Sequence, residues 1–377
     1  MTEAPGFLLY AVAFVLVIGP LVFVHELGHY LAGRAFGVKA EVFAIGFGHE
    51  VAGFTDRRGT RWRFGWLPLG GYVRFAGDMN PASQPDPEWL ALPPAERAQT
   101  FQAKPLWQRA IIVAAGPAIN FVAAILILMG FALAYGEART PPVIERVVAG
   151  SAAAQAGLRS GDRIVALAGR PVETFDEIAR FVKIRPAETV GIDVVRAGAP
   201  LRLSAKIGVE TQQDRFGNVY RIGQLGVERG TAVARPVSLV EAPAVALRRC
   251  GSIVTMMVDT LGQVITGRRS VKELGGPLSI ARASGEQLAL GLPDFLFLVA
   301  LVSINLGFIN LLPVPMLDGG HLLFYAVEGV RRRPVEPQVM EWAFRGGLAA
   351  LLALMVLVTV NDLGSFGVWR NLAGLIG

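Results

Sequence analysis

Hydrophobic residues gather into four long runs, separated by stretches of ordinary polar alternation. The runs extend from Phe7 to about Ala35, from Ile111 to Ala134, from near Phe295 to about Val330, and from Leu348 to Val360. About 20 apolar residues in a helix cross the hydrocarbon core of a bilayer, so each run predicts a span. The third is too long for one straight helix. Pro313 and Pro315 must break it, because proline removes a backbone donor and clashes with the preceding turn.

Between the first two runs, "TRWRFGW" alternates beside the turn-like "DRRG", which predicts a β-hairpin over 40–78. Its aromatics (Phe43, Phe47, Phe54, Trp62, Phe64, Trp66, Tyr72) are many for a soluble loop. Either it re-enters the membrane and lines a cavity that satisfies its backbone, or it is a cytosolic hairpin with a small core of its own. The Pro-rich "PASQPDPEWLALPPAERAQ" reads as a surface loop. From 140 to 209 the pattern becomes that of a small α+β domain. Short strands flank the helical "TFDEIARFVKI", which has a Thr cap and acids in its first turn.

Residues 210–291 add a β element and a helical stretch, 237–268, that lies along the membrane surface or packs on the core. The expected fold is a polytopic α-helical membrane protein with about four spans. A membrane region over 1–136 holds spans at 7–35 and 109–135, and the hairpin. The α+β domain is inserted at 140–209. A second membrane region over 292–377 holds the broken span and a last span at 346–362.

Composition agrees. Of 377 residues 53% are hydrophobic and 18% charged, more apolar than soluble domains. The net charge is +6 and the pI about 9.8. The arginines are dispersed and few aromatics interleave with them, which argues for orientation in a lipid bilayer and against nucleic acid as a partner. Arg34, Lys39, Arg57, Arg58, Arg61, Arg63 and Arg74 follow the first span. Lys104 and Arg109 precede the second, and Arg331, Arg332 and Arg333 lie between the last two. The positive-inside rule makes these loops cytoplasmic and puts the N-terminus, the inserted domain and the C-terminus outside. The N-terminal run lacks a basic n-region, which predicts a retained span. Cys250 stands alone, so no internal disulfide forms.

The first span contains "VHELGHY". An acid within a span costs roughly 2.5–3.5 kcal/mol on insertion scales and marks a functional site. On a helix, His25 and His29 share one face, with Glu26 beside them. Two imidazoles suit Zn²⁺, which takes four partners and keeps one position open in catalytic sites. Asp318, in "PMLDGGHLLF" beyond the proline break, is the favoured third ligand, with His321 as its rival. The plainer role for Asp318 is the N-cap of the following helix. His25 lies late in the span, just before Arg34, so the site lies toward the cytoplasmic face. Glu26 then takes a proton from water as general base.

"HELGH", "NLLPVPMLDGGH", "GPAIN", "LGGYVRFAGD" and "ELGGPLSIA" together resemble the site-2 protease family of intramembrane metalloproteases, closest to its bacterial regulator-of-sigma-E protease branch. The likeness covers nearly the whole chain. It implies one zinc ion held by His25, His29 and Asp318, with Glu26 as base. It also implies that Asn310 positions the substrate backbone, in the run that carries Pro313 and Pro315, and that Asn120 lies near the same cavity. The hairpin around Gly70 and Gly71 would be the re-entrant element, holding unwound substrate by adding a strand edge. Expected substrates are single-span membrane proteins already shortened outside, such as an anti-sigma factor or remnant signal peptides, in a bacterial inner membrane.

"AGLRSGDRIVALAGRPV" resembles a PDZ domain. One copy is present where better-known members have two in tandem. It binds substrate or a cleaved terminus, filters by size, or is a spacer. Two other functions compete. A metal carrier would show paired halves with polar residues in several spans, and here they converge on one motif and one aspartate. An inactive scaffold would have no use for Glu26.

Overall fold

A computed structural model describes residues 6–78, 91–183, 185–213, 219–266 and 276–365. The N-terminal tail with Glu3, most of the Pro-rich stretch and part of "ELGGPLSIA" lie outside the described residues. In chain order the elements are α1 (Phe7–Ala35), β1 (Ala40–Thr55), β2 (Arg61–Phe75), α2 (Pro94–Arg97), α3 (Leu106–Tyr135), β3 (Glu137–Arg139), β4 (Ile144–Val147), α4 (Ala152–Gln155), β5 (Arg163–Leu167), β6 (Arg170–Pro171) and α5 (Phe175–Lys183). There follow β7 (Thr189–Arg196), β8 (Ala199–Lys206), β9 (Gly208–Gln213), β10 (Val219–Gln224), β11 (Val227–Arg229), β12 (Val233–Arg235), α6 (Ala242–Ile265), α7 (Pro277–Leu290), α8 (Leu292–Asn310), α9 (Asp318–Arg331) and α10 (Pro337–Ser365). They divide into two compact units. One comprises Met1–Met129, Ala246–Gly262 and Arg269–Gly377; the other comprises Gly130–Val245 and Gln263–Arg268.

In the first unit, α1, α3, α8 and α10 are each long and apolar enough to cross a membrane. The hairpin is two long bent strands. Val42–Ile45 face Gly71–Arg74 on one side and Arg61–Phe64 on the other. It keeps no core of its own. Phe43, fully buried, stacks on Trp62 at 4.3 Å and meets Tyr30 of α1 edge-on at 5.7 Å, in a cluster that includes Val73, Phe75 and Ile112 of α3. Farther along, Val51, Phe54 and Trp66 are exposed.

Helix α6 packs on the core. Ala246, Cys250 and Ile253 recur at helical spacing and bury against Ala124 and Leu128 of α3 and Ala300 and Ile304 of α8. Helix α7 is absent from the sequence expectation. It packs Leu288 with Ala13, Val17 and Leu21 of α1 and Phe295 of α8. Its N-terminal N–H groups are satisfied from another helix: Asp362 of α10 accepts from Gly276 N (3.2 Å), Ser279 N (3.0 Å) and Ser279 Oγ (2.6 Å).

The third apolar run is two helices, α8 and α9. In the break between them, the Leu317 N–H closes a turn onto Val314 O at 3.1 Å. Pro315 is second in that turn and Met316 third, with φ +81°, a position that ordinarily selects glycine. Asp318 is the first residue of α9, and the cap position falls on Leu317. Asp318 is therefore not the N-cap that the plainer reading made it, and its carboxylate is turned elsewhere.

The second unit centres on the sheet β6-β5-β7-β8. Ile164, Leu167, Ile192 and Val194 bury against Ile178 and Val182 of α5. The boundary at 209 stops short of this unit. Strand β11 pairs with β4, β12 pairs with β3, and Leu225 joins the core. These are long-range pairings that alternation within a segment cannot reveal. Buried Asp162 accepts from Arg196 Nε at 2.7 Å and from the Arg159 N–H at 2.8 Å, fastening the turn before β5.

Candidate metal centre

Helix α1 puts His25 and His29 one turn apart, so both rings leave the same face. The Nε2 atoms lie 3.2 Å from each other. Asp318 arrives from the start of α9, with Oδ2 3.1 Å from His25 Nε2 and Oδ1 3.5 Å from His29 Nε2. One Asp318 oxygen lies near each ring, and with a single atom taken from each residue the three donors fall within 4.8 Å of one another; a tetrahedral ion with ligands at 2.0–2.1 Å draws such atoms to about 3.3 Å apart. His25 and Asp318 come from opposite ends of the chain, so the fold itself builds the triangle.

Proton positions support the fit. His29 Nδ1 lies 2.9 Å from Ile112 O. A carbonyl only accepts, so a proton sits on Nδ1, and in the neutral ring the Nε2 lone pair is left for a ligand. Asp318 Oδ2 is buried without a hydrogen-bond donor. Lone pairs from a neutral imidazole and a carboxylate therefore converge, an arrangement a cation resolves. Among the described residues, His25, His29 and Asp318 are the group of such donors that could hold a metal.

A cavity of about 300 Å³ opens on this triangle. Its walls include Glu26, Gly70, Gly71, Asn310, Met316 and His321. His321, the rival ligand, lines the cavity without joining the triangle. Its ring packs against Phe344 at 4.9 Å. Gly71 lies against Glu26, where a Cβ would come within 3.0 Å of Glu26 Cγ and 2.8 Å of Ala44 O. Asn120, expected near the cavity, is fully buried and is not among the cavity's walls; its amide lies 3.1 Å from His25 Nδ1. Pro313 is exposed, and Pro315 packs on Gly347 of α10. Neither is among the cavity's walls, and their observed role is the chain break that delivers Asp318.

Two features escaped sequence reading. Gly116 of α3 has no room for a Cβ because His29 Nε2 occupies its place. Gly28 likewise lies against the Ala115 carbonyl, bringing α1 and α3 into backbone contact. Small residues in an apolar run carry no signal of which helix they face. The Gly-Pro pair at 116–117 was the available hint.

Spans of bilayer length and a cluster of two imidazoles and a carboxylate beside an acid are the parts a membrane metallohydrolase needs. The profile of peptidase family M50 matches residues 13–354, and the chain belongs to that family. "Putative zinc metalloprotease Atu1380" of Agrobacterium fabrum is 44% identical over 96% of this chain and 98% of its own length. "Metalloprotease MmpA" of Caulobacter vibrioides is 36% identical over 98% and 99%. Among solved structures, the PDZ domain of an SdrC-like protein from Listeria monocytogenes matches 23% of this chain and 84% of its own, at 18% identity and a TM-score of 0.19, a likeness too low to bear on function. The protein is a membrane-spanning zinc metalloprotease.

Proposed function

We infer that this protease cuts peptide bonds in or near the transmembrane segment of single-span membrane proteins, with His25, His29 and Asp318 holding one zinc ion and Glu26 acting as general base. The observation that carries the reading is the meeting of three donor atoms within 4.8 Å of one another on the cavity that Glu26 lines. Bound there, zinc supplies Lewis acidity, making water acidic near neutral pH and polarising a carbonyl. Glu26 accepts the water's proton and passes it to the leaving nitrogen. Asn310, on the cavity wall, holds the substrate backbone. The segment Gly71–Arg74 borders Glu26 and takes an unwound stretch of substrate as an added strand. Unwinding is required because helical peptide bonds are shielded from attack.

The arginine-rich loops support an inner-membrane orientation with the centre toward the cytoplasm and the middle unit outside. Substrates are membrane proteins first shortened on the outer side, of the anti-sigma-factor or remnant-signal-peptide kind. The test is Glu26→Gln, purified in detergent with single-span reporter helices. Cleavage stops while zinc content matches wild type. Cleavage at the wild-type rate would remove Glu26 as the base.

A further inference from the structure

His25 poses a problem that His29 does not. If Nε2 of His25 is to ligate a cation, its proton must sit on Nδ1, and Nδ1–H then needs an acceptor. The group it faces is Asn120 of α3, 3.1 Å away and fully buried. An amide can serve either way, but only its oxygen accepts. With the amide nitrogen toward the ring, Asn120 Oδ1 is left buried without any partner. A 180° rotation of the amide exchanges the two atoms. It brings Oδ1 onto Nδ1–H and leaves Nε2 as a bare lone pair aimed at the point where His29 Nε2 and Asp318 Oδ2 also aim.

The placement is built. Asn120 shares a helix with Ile112, whose carbonyl performs the same service for His29. Buried Ser303 of α8 donates to the Asn120 carbonyl at 2.8 Å, tying that turn of α3 to a second span. One helix thus fixes the tautomer of both rings, once with a main-chain oxygen and once with a side chain.

We propose that Asn120 is a positioning residue for the metal centre, its amide oxygen accepting the His25 Nδ1 proton, and that it does not contact substrate. The inference rests on the ligand set proposed above. Groups that orient a ligating histidine change metal affinity by about 10–100-fold when removed.

The test measures zinc affinity by competition with a chromophoric chelator, on full-length protein in detergent, for wild type, His25→Ala, Asn120→Leu and Asn120→Asp. Aspartate presents an acceptor of the same size and no donor, whereas leucine fills the volume and presents neither. The expected result is that Asn120→Leu weakens zinc binding about 10–100-fold while Asn120→Asp stays close to wild type, with far-UV circular dichroism unchanged in both. If Asn120→Leu is misfolded, Asn120→Asp decides alone: retained affinity supports an acceptor role, and loss overturns it. Wild-type affinity in folded Asn120→Leu also overturns it. If His25→Ala binds zinc as tightly as wild type, the ligand set itself is wrong and this inference falls with it. Tight binding in Asn120→Leu beside lost binding in His25→Ala sinks only the role of Asn120.

Discussion

Gly116 of α3 and His29 of α1 occupy one another's space: the position a Cβ would take at Gly116 is filled by His29 Nε2. His29 cannot yield without leaving the triangle, because its other nitrogen is fixed on Ile112 O at 2.9 Å. Gly116→Ala is therefore expected to displace the imidazole and lose both zinc and cleavage, while the far-UV spectrum is retained. Metal analysis of the purified variant checks this. Zinc at one equivalent per chain would show that the rings adapt.

The two candidates for third ligand separate cleanly. Asp318 closes the triangle at 3.1 and 3.5 Å, whereas His321 is packed under Phe344 on the cavity wall. Asp318→Asn should lose zinc through a dialysis that wild type survives. His321→Phe, which preserves the ring packing, should hold zinc within about threefold of wild type, well short of the 10–100-fold loss seen when a ligand's orienting partner is removed. Zinc loss in His321→Phe with retention in Asp318→Asn would reverse the assignment.

Much of this was legible in the sequence, and the reasons differ by element. Helices α1 and α3 were readable because lipid demands uninterrupted apolar runs, and His25, Glu26 and His29 because charge inside such a run is costly. Asp318 was readable as chemistry, but its distance to the imidazoles depends on how α9 re-enters after Pro315. Helix α7 was missed because its buried positions include Ser284 and Gly285, which pattern as polar or neutral. Gly285 is there because the Tyr10 ring fills the space of its Cβ. Asn120 was expected near the cavity, and only the ring-to-amide distance says what it touches.

Acid should loosen the middle unit through one carboxylate. Arg196 beside Asp162 holds its carboxyl below the usual range, helped by the Arg159 N–H. A group depressed in the folded state contributes stability above its unfolded pKa of about 3.9. That contribution is lost as pH falls through the lower folded value. Wild type should therefore lose hydrogen-exchange protection of β5 and β7 peptides below about pH 4, after normalisation to unstructured rates. Asp162→Asn should be less protected at neutral pH and show a flatter acid limb. A limb of equal steepness in the variant would assign the acid transition to other carboxylates.

Asp362 ties α10 to α7 and belongs to neither the metal-donor group nor the cavity walls, so its loss should separate stability from chemistry. Its two oxygens accept from Gly276 N, Ser279 N and Ser279 Oγ, and it is 2% exposed. Asp362→Ala leaves those donors at a buried helix start with no acceptor, which costs about 2–3 kcal/mol, the range for a hydrogen bond to a charged group plus an unsatisfied partner. Asp362→Asn keeps one accepting oxygen and should fall between the two. Helix α7 packs on the first span through Leu288 near Ala13, Val17 and Leu21, on the N-terminal side of the His25 turn. Thermal unfolding in detergent should thus drop for Asp362→Ala by several degrees with zinc stoichiometry unchanged at low temperature. An unaltered midpoint would mean that water replaces the carboxylate at the α7 N-terminus. Zinc loss without a fall in midpoint would mean that α7 positions the His25 turn directly.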